Sequence, residues 1–192
     1  FLMREVPFGN DGDFSRRAMI HRMNGDLAND LGNLSQRVLS MIFKNCSGVM
    51  PALPATAAPE DSALLDAADA MLGKVRAHMD VQSFHEALRC IWEVVSDANK
   101  YVDTTAPWGL KKTDPVRMGE VLAVLAETIR QAAILVQPVM PGSASKILDQ
   151  LGVADGQRSF DMLAGAGRIA AGVEISKPEP VFPRFVEEEG EV

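Results

Sequence analysis

At 192 residues and 47% hydrophobic content, the chain has enough apolar surface for one domain with an appendage to build a core without covalent staples. A net charge of −7 argues against a binder that works through a broad basic field, although Glu187, Glu188, Glu189 and Glu191 supply four of those charges and leave −3 for the rest. Cys46 and Cys90 lie far apart and fit neither a disulfide framework nor a paired-thiol metal site, which points to a reducing cytoplasm.

Residues 1–15 carry Arg4, Glu5, Asp11 and Asp13 where a secretory leader has an apolar stretch, and the opening on Phe1 rather than methionine points to a fragment. The first long pattern runs over 15–45, with Ile20, Met23, Leu27, Leu31, Leu34, Val38 and Met41 spaced by threes and fours. That spacing predicts one amphipathic helix roughly 45 Å long, with Asp13 or Ser15 able to cap its start. The stretch SGVMPALPATAA then reads as a connector, because its prolines remove donors and restrict the residues before them.

A second helix fits 59–80, with Pro59 in its first turn and Leu64, Leu65, Ala68, Met71, Leu72 and Val75 facing inward. A third fits 83–104, where Phe84, Leu88, Ile91, Trp92, Val95, Ala98 and Val102 form the stripe and Pro107 enforces a stop. A fourth fits 114–137, opened by an Asp-Pro pair and closed before Pro138. Its apolar run from 121 to 136 is interrupted by Glu127, Arg130 and Gln131 and falls short of the ~20 unbroken apolar residues of a membrane span. A short fifth helix fits 141–151.

Four to five helices with short connections make an all-α bundle, preceded by a short linker segment and followed by an extended C-terminal segment. The expected divisions are 1–14 as a link, 15–153 as the bundle, 154–186 as extended chain packed on it, and 187–192 as a disordered acidic tail.

Little else carries chemistry. His21, His78 and His85 fall on different helices with no ligand spacing, so neither a metal site nor a catalytic residue is assigned. Ser143 and Ser145 sit where a helix start uses hydroxyls as caps, and the GAG at 165–167 lacks the strand and third glycine of a dinucleotide loop.

Several segments together resemble the methionyl-tRNA synthetase family: FLMREVPFGNDGDFS, DLANDLGNLSQR, ANKYVDTTAPW followed by KKTDP, QPVMPGSASKILDQLG and the closing KPEPVFPR. The likeness covers most of the chain. It implies the helical anticodon-binding region of an enzyme that activates methionine with ATP and Mg and attaches it to tRNA(Met). The family's HIGH and KMSKS elements are absent, so the chain by itself is expected to bind no cofactor and to be inactive. The implied partners are the tRNA(Met) anticodon loop and the catalytic domain of the same enzyme, with no membrane and no self-association.

Within that resemblance Asn33 and Arg37, four positions apart, project from one helix face about 6 Å apart along the axis. An amide offers donor and acceptor and a guanidinium a planar set of donors, which suits the Watson-Crick edge of an unpaired base. The family's equivalent pair contacts the first base of CAU. A solvated polar face is the plainer reading of such a pair.

Trp108, stiffened by Pro107, implies a stacking platform, the alternative being a plug at the end of the bundle; Trp92, inside an apolar stripe, is assigned to the core. Asn29, Lys44, Lys111 and Lys112 are weaker candidates for flanking RNA contacts, with Ser40 and Lys100 nearby. Two other readings compete: the equivalent domain of another class I synthetase, and a helical module that binds a protein.

Overall fold

The structure is a computed structural model that describes residues 1–12, 14–163 and 165–186. A short helix α1 (Leu2–Glu5) leads into a long helix made of α2 (Arg16–Arg22), a π-helical segment (Met23–Gly32) and α3 (Asn33–Asn45). Then follow α4 (Pro59–Asp80), α5 (Phe84–Thr105), α6 (Pro107–Thr113), α7 (Pro115–Val136) and α8 (Pro141–Gln150), with three single 3-10 turns beyond. Among the described residues there is no strand; an isolated antiparallel bridge joins Val49 to Glu174.

Five of these helices are the expected ones, displaced by a residue or two. The caps explain where they begin: the Ser15 hydroxyl accepts from the Ala18 N–H at 3.2 Å, and the Asp114 carboxylate accepts from the Arg117 N–H at 2.9 Å. Asp13, the other candidate cap, lies outside the described residues, as does the acidic tail 187–192. Ser143 and Ser145 do not cap α8, whose N-cap is Met140 without a side-chain bond. The Ser145 hydroxyl instead accepts from Arg158 at 3.2 Å.

Three features depart from the sequence reading. The first helix is not α throughout, since Met23–Gly32 runs as π-helix. Gly32 permits this, because a Cβ there would stand 2.7 Å from the Leu27 carbonyl. The stop at Pro107 is also the start of another helix, α6. Finally, the segment 154–186 is not simply extended, as it carries the 3-10 turns Asp155–Gln157, Phe160–Met162 and Gly165–Gly167.

Helix α7 is the axis of the bundle, touching α3, α4, α5, α6 and α8. It is apolar around most of its circumference and buried from Val121 to Val136. Around it pack Leu34, Val38 and Ile42 of α3, Leu64, Ala68 and Met71 of α4, and Ile91, Val95 and Val102 of α5. Among the described residues no helix is long and apolar enough to cross a membrane. Both cysteines are free thiols, and burial pushes each above the ordinary thiol range.

Candidate functional site

Where α5 ends, the chain must turn sharply. Pro107 cannot continue a helix and disfavours helical geometry in the residue before it. Ala106 takes the left-handed conformation (φ 42°, ψ 58°), a strained state for a residue with a Cβ that costs on the order of 1–2 kcal/mol. Two local bonds hold the corner: Ala106 N–H to the Val102 carbonyl at 3.1 Å, and Gly109 N–H to the Ala106 carbonyl at 2.8 Å. Pro107 then occupies the first position of α6, where a missing N–H is harmless. The consequence is that Trp108 stands on the rim with 53% of its surface exposed, which is not the position of a core plug.

Arg37, from α3, reaches across to it. The guanidinium carbon lies 5.6 Å from the Trp108 ring centroid, and Nη2 donates to Asp103 Oδ1 of α5 at 2.9 Å. Asp103 is 65% exposed and Arg37 32%, so this pair contributes at most about 1 kcal/mol in water. An exposed cation over an indole adds about 0.5–1 kcal/mol. The cation is therefore oriented without being locked. Asn33 is exposed one turn earlier on the same helix, and among the described residues its amide has no hydrogen-bond partner.

The structure thus brings Arg37 and Trp108 into contact, with Asn33 exposed one turn before Arg37 on α3. Lys111 and Lys112 are exposed in the last turn of α6, Lys44 in the last turn of α3, and Asn29 in the π segment. Lys100 is engaged with Asp97 at 3.0 Å. Trp92 is half-buried against the core as expected, but its indole N–H also donates to the Asp26 carbonyl of the π segment at 2.9 Å.

Sequence reasoning passed over Asp103 and the buried cluster that anchors this end of α5. The Tyr101 hydroxyl donates to Asp61 Oδ1 at 2.6 Å, while Arg117 Nη1 and Nη2 donate to Asp61 Oδ2 and Oδ1 at 2.6 and 2.7 Å. The Ala58 N–H adds a bond at 3.2 Å, so Asp61 also caps α4. Burial pushes the Asp61 carboxyl up, but the bonds from Arg117, Tyr101 and Ala58 outweigh it and hold the group below the ordinary carboxylate range. Burial, then the bond to Asp61, pushes the Tyr101 phenol far up.

A signal existed for this cluster: the sole tyrosine stands between Ala98 and Val102 on a core stripe, where a hydroxyl demands a buried partner. Asp103 had none beyond its spacing. Among the described residues no group of three or more His, Cys, Asp or Glu is placed to hold a metal ion.

Comparison with known proteins gives the surroundings of this face. A family model described as the anticodon binding domain of methionyl tRNA ligase matches residues 51–192, and one for class I tRNA synthetases (M) matches residues 1–39. The chain is 53% identical over 188 residues to methionine–tRNA ligase of Brucella suis biovar 1 (strain 1330), covering 97% of this chain and 36% of that protein. It is 50% identical over 190 residues to that of Mycobacterium tuberculosis (strain H37Rv), covering 96% and 36%. The crystal structure of free-state Mycobacterium tuberculosis methionyl-tRNA synthetase superposes with a TM-score of 0.94 at 48% identity, over 98% of this chain and 38% of that one. The same enzyme in complex with methionyl-adenylate gives 0.92 at 49% identity, over 96% and 36%. This chain spans little more than a third of the length of these relatives.

Proposed function

Since the chain belongs to the family of anticodon binding domains of methionyl tRNA ligase, we propose that it reads the CAU anticodon of tRNA(Met) on behalf of a methionine–tRNA ligase. The observation that carries this reading is the Arg37 guanidinium lying against the exposed Trp108 indole, with the unpartnered Asn33 amide one turn away. An unpaired base stacks on an aromatic face and is distinguished by hydrogen bonds to its edge. Trp108 supplies the face, while Asn33 and Arg37 supply the bonds to the first anticodon base. Asp103 keeps the guanidinium oriented through its 2.9 Å bond.

Lys111, Lys112, Lys44 and Asn29 serve as flanking contacts to backbone or neighbouring bases. Residues 1–14 form the link toward the catalytic domain of the enzyme, 15–153 the reading bundle and 154–186 a strap across it. The parent enzyme's ATP and Mg chemistry belongs to its other part. No residue of this chain is assigned to that chemistry, and the chain alone is inactive in aminoacylation.

The test is calorimetric titration of the chain, at low salt, with a CAU anticodon stem-loop and with a stem-loop altered at its first anticodon base. The expected result is preference for CAU, lost in Arg37→Ala, whereas Lys111→Ala weakens both RNAs alike. Equal loss for both RNAs in Arg37→Ala makes that residue a phosphate contact. No binding of either RNA, together with capture of a protein that depends on Trp108, favours the protein-binding module.

A further inference from the structure

Residues 177–185 have no regular secondary structure, yet side-chain amides grip their main chain from several directions. Gln150, at the end of α8, donates to the Glu179 carbonyl at 3.0 Å and accepts from the Glu179 N–H at 2.8 Å. Asn24, in the π segment, does the same to Phe185, at 2.9 and 2.8 Å. Gln36 of α3 donates to the Pro178 carbonyl at 3.4 Å. One primary amide satisfies both main-chain groups of one residue, as a neighbouring strand would.

Between the two ends, Phe182 packs on Gly32, where a Cβ would stand 3.2 Å from its ring. The contacts run in opposite orders along the two chains: Pro178 meets Gln36, Phe182 meets Gly32, and Phe185 meets Asn24. Their lengths agree, since seven residues of extended, proline-rich chain span about 22 Å and twelve helical residues about 18 Å. Pro178, Pro180 and Pro183 lower the entropy lost on ordering this strap.

What the strap covers is the π segment, an uncommon geometry that persists where tertiary contacts hold it. Trp92 holds it from one side through the Asp26 carbonyl, and the strap holds it from another. The segment ends at Gly32, immediately before Asn33. A π turn contains one residue more than an α turn, so relaxing one turn rotates whatever follows by about 100° relative to the rest.

We propose that residues 177–185 are a positioning strap for base reading, in which Asn24, by gripping Phe185, fixes the π register and with it the direction in which Asn33 and Arg37 leave the helix. The proposal rests on the anticodon-reading function given above. Asn24 touches no RNA in this scheme; it acts through Asn33 and Arg37.

The experiment compares Asn24→Ala with Gln150→Ala in the full 192-residue chain. Gln150→Ala cuts the same kind of bond to the same strap, but on α8, away from the reading helix. Two quantities are read: the ratio of affinities for the CAU stem-loop and its first-base variant, and amide hydrogen exchange at residues 32–37. The expected result is a fall of about tenfold in the ratio for Asn24→Ala, the worth of one or two misplaced hydrogen bonds, with faster exchange at 32–37. Gln150→Ala leaves both near wild type while lowering thermal stability comparably.

Asn24→Asp keeps the bond from the Phe185 N–H and loses the donor, so it falls between; it carries the test if Asn24→Ala does not fold. A retained ratio in Asn24→Ala, or an equal loss in Gln150→Ala, overturns the strap proposal and leaves anticodon reading intact. Absence of any preference in the wild type overturns both.

Discussion

An indole more than half exposed beside an arginine contributes little to the fold and much to a ligand that stacks on it. Trp108→Ala is therefore expected to weaken binding of the CAU stem-loop by ~1–3 kcal/mol, with a melting temperature close to wild type; a large drop in melting temperature would mean the ring is structural after all. Tyr101 is the opposite case, buried and bonded to a carboxylate. Tyr101→Phe should cost about 1.5–3 kcal/mol in chemical denaturation, because it strips a charged acceptor of a donor. Asp61 also sets the acid limb of stability. Its folded pKa lies below its unfolded value of about 3.9, so its contribution is complete above that pH and is lost as pH falls through the folded value. Denaturation curves between about pH 5 and 2 should be flatter for Asp61→Asn than for wild type. At this scale the sequence put Asn33 and Arg37 on one helix face and Trp108 behind a proline by local spacing, and their proposed role came from the family resemblance. The sequence was illegible for Asp103, Asp61 and Arg117, which meet their partners only after α4, α5 and α7 have packed.

Helices depend on where their glycines stand. Gly73 is exposed in the middle of α4, and a Cβ added there would meet nothing within 4 Å, whereas one at Gly32 would have the Leu27 carbonyl at 2.7 Å and Phe182 beside it. Propensity alone favours alanine at both by about 1 kcal/mol. The expected outcome is that Gly73→Ala raises the melting temperature and Gly32→Ala lowers it; two increases would show that the π segment relaxes to α-helix at no cost. Apolar spacing placed the five main helices correctly because it reports which face of each is buried. Spacing carries no record of the i+5 bonding at Met23–Gly32, nor of α6, whose seven residues have too few apolar positions to show a period.

Across the whole molecule, the three polar residues that break the apolar run of α7 do not face water. Glu127 and Arg130 are 0% and 1% exposed, and Gln131 is equally buried. Glu127 accepts from Arg130 Nε and Nη2 at 2.8 and 2.7 Å, from Gln131 at 3.0 Å and from the Ile169 N–H at 2.9 Å. Arg130 also donates to the Met162 carbonyl at 2.8 Å, and Gln131 to Asp69 of α4 at 2.8 Å. This network latches Met162 and Ile169 onto the central helix. Arg130→Ala should destabilise the chain by about 3–5 kcal/mol, because it leaves the Glu127 charge buried without its partner. Limited proteolysis should then cut first within 154–170; cleavage elsewhere would show that the latch does not hold this segment.

The sequence by itself determined the all-helical class and the order and limits of the main helices, because these are written in local spacing and local backbone restriction; Asn33, Arg37 and Trp108 were singled out through the family resemblance. Only the tertiary structure decided that Arg37 lies on Trp108 with Asp103 beside it, that the polar breaks of α7 are buried, and that an extended strap grips a π-helical turn. Those contacts join residues as far apart as 24 and 185, and their energies come from burial and from pairing of main-chain groups that no pattern of side chains along one segment records.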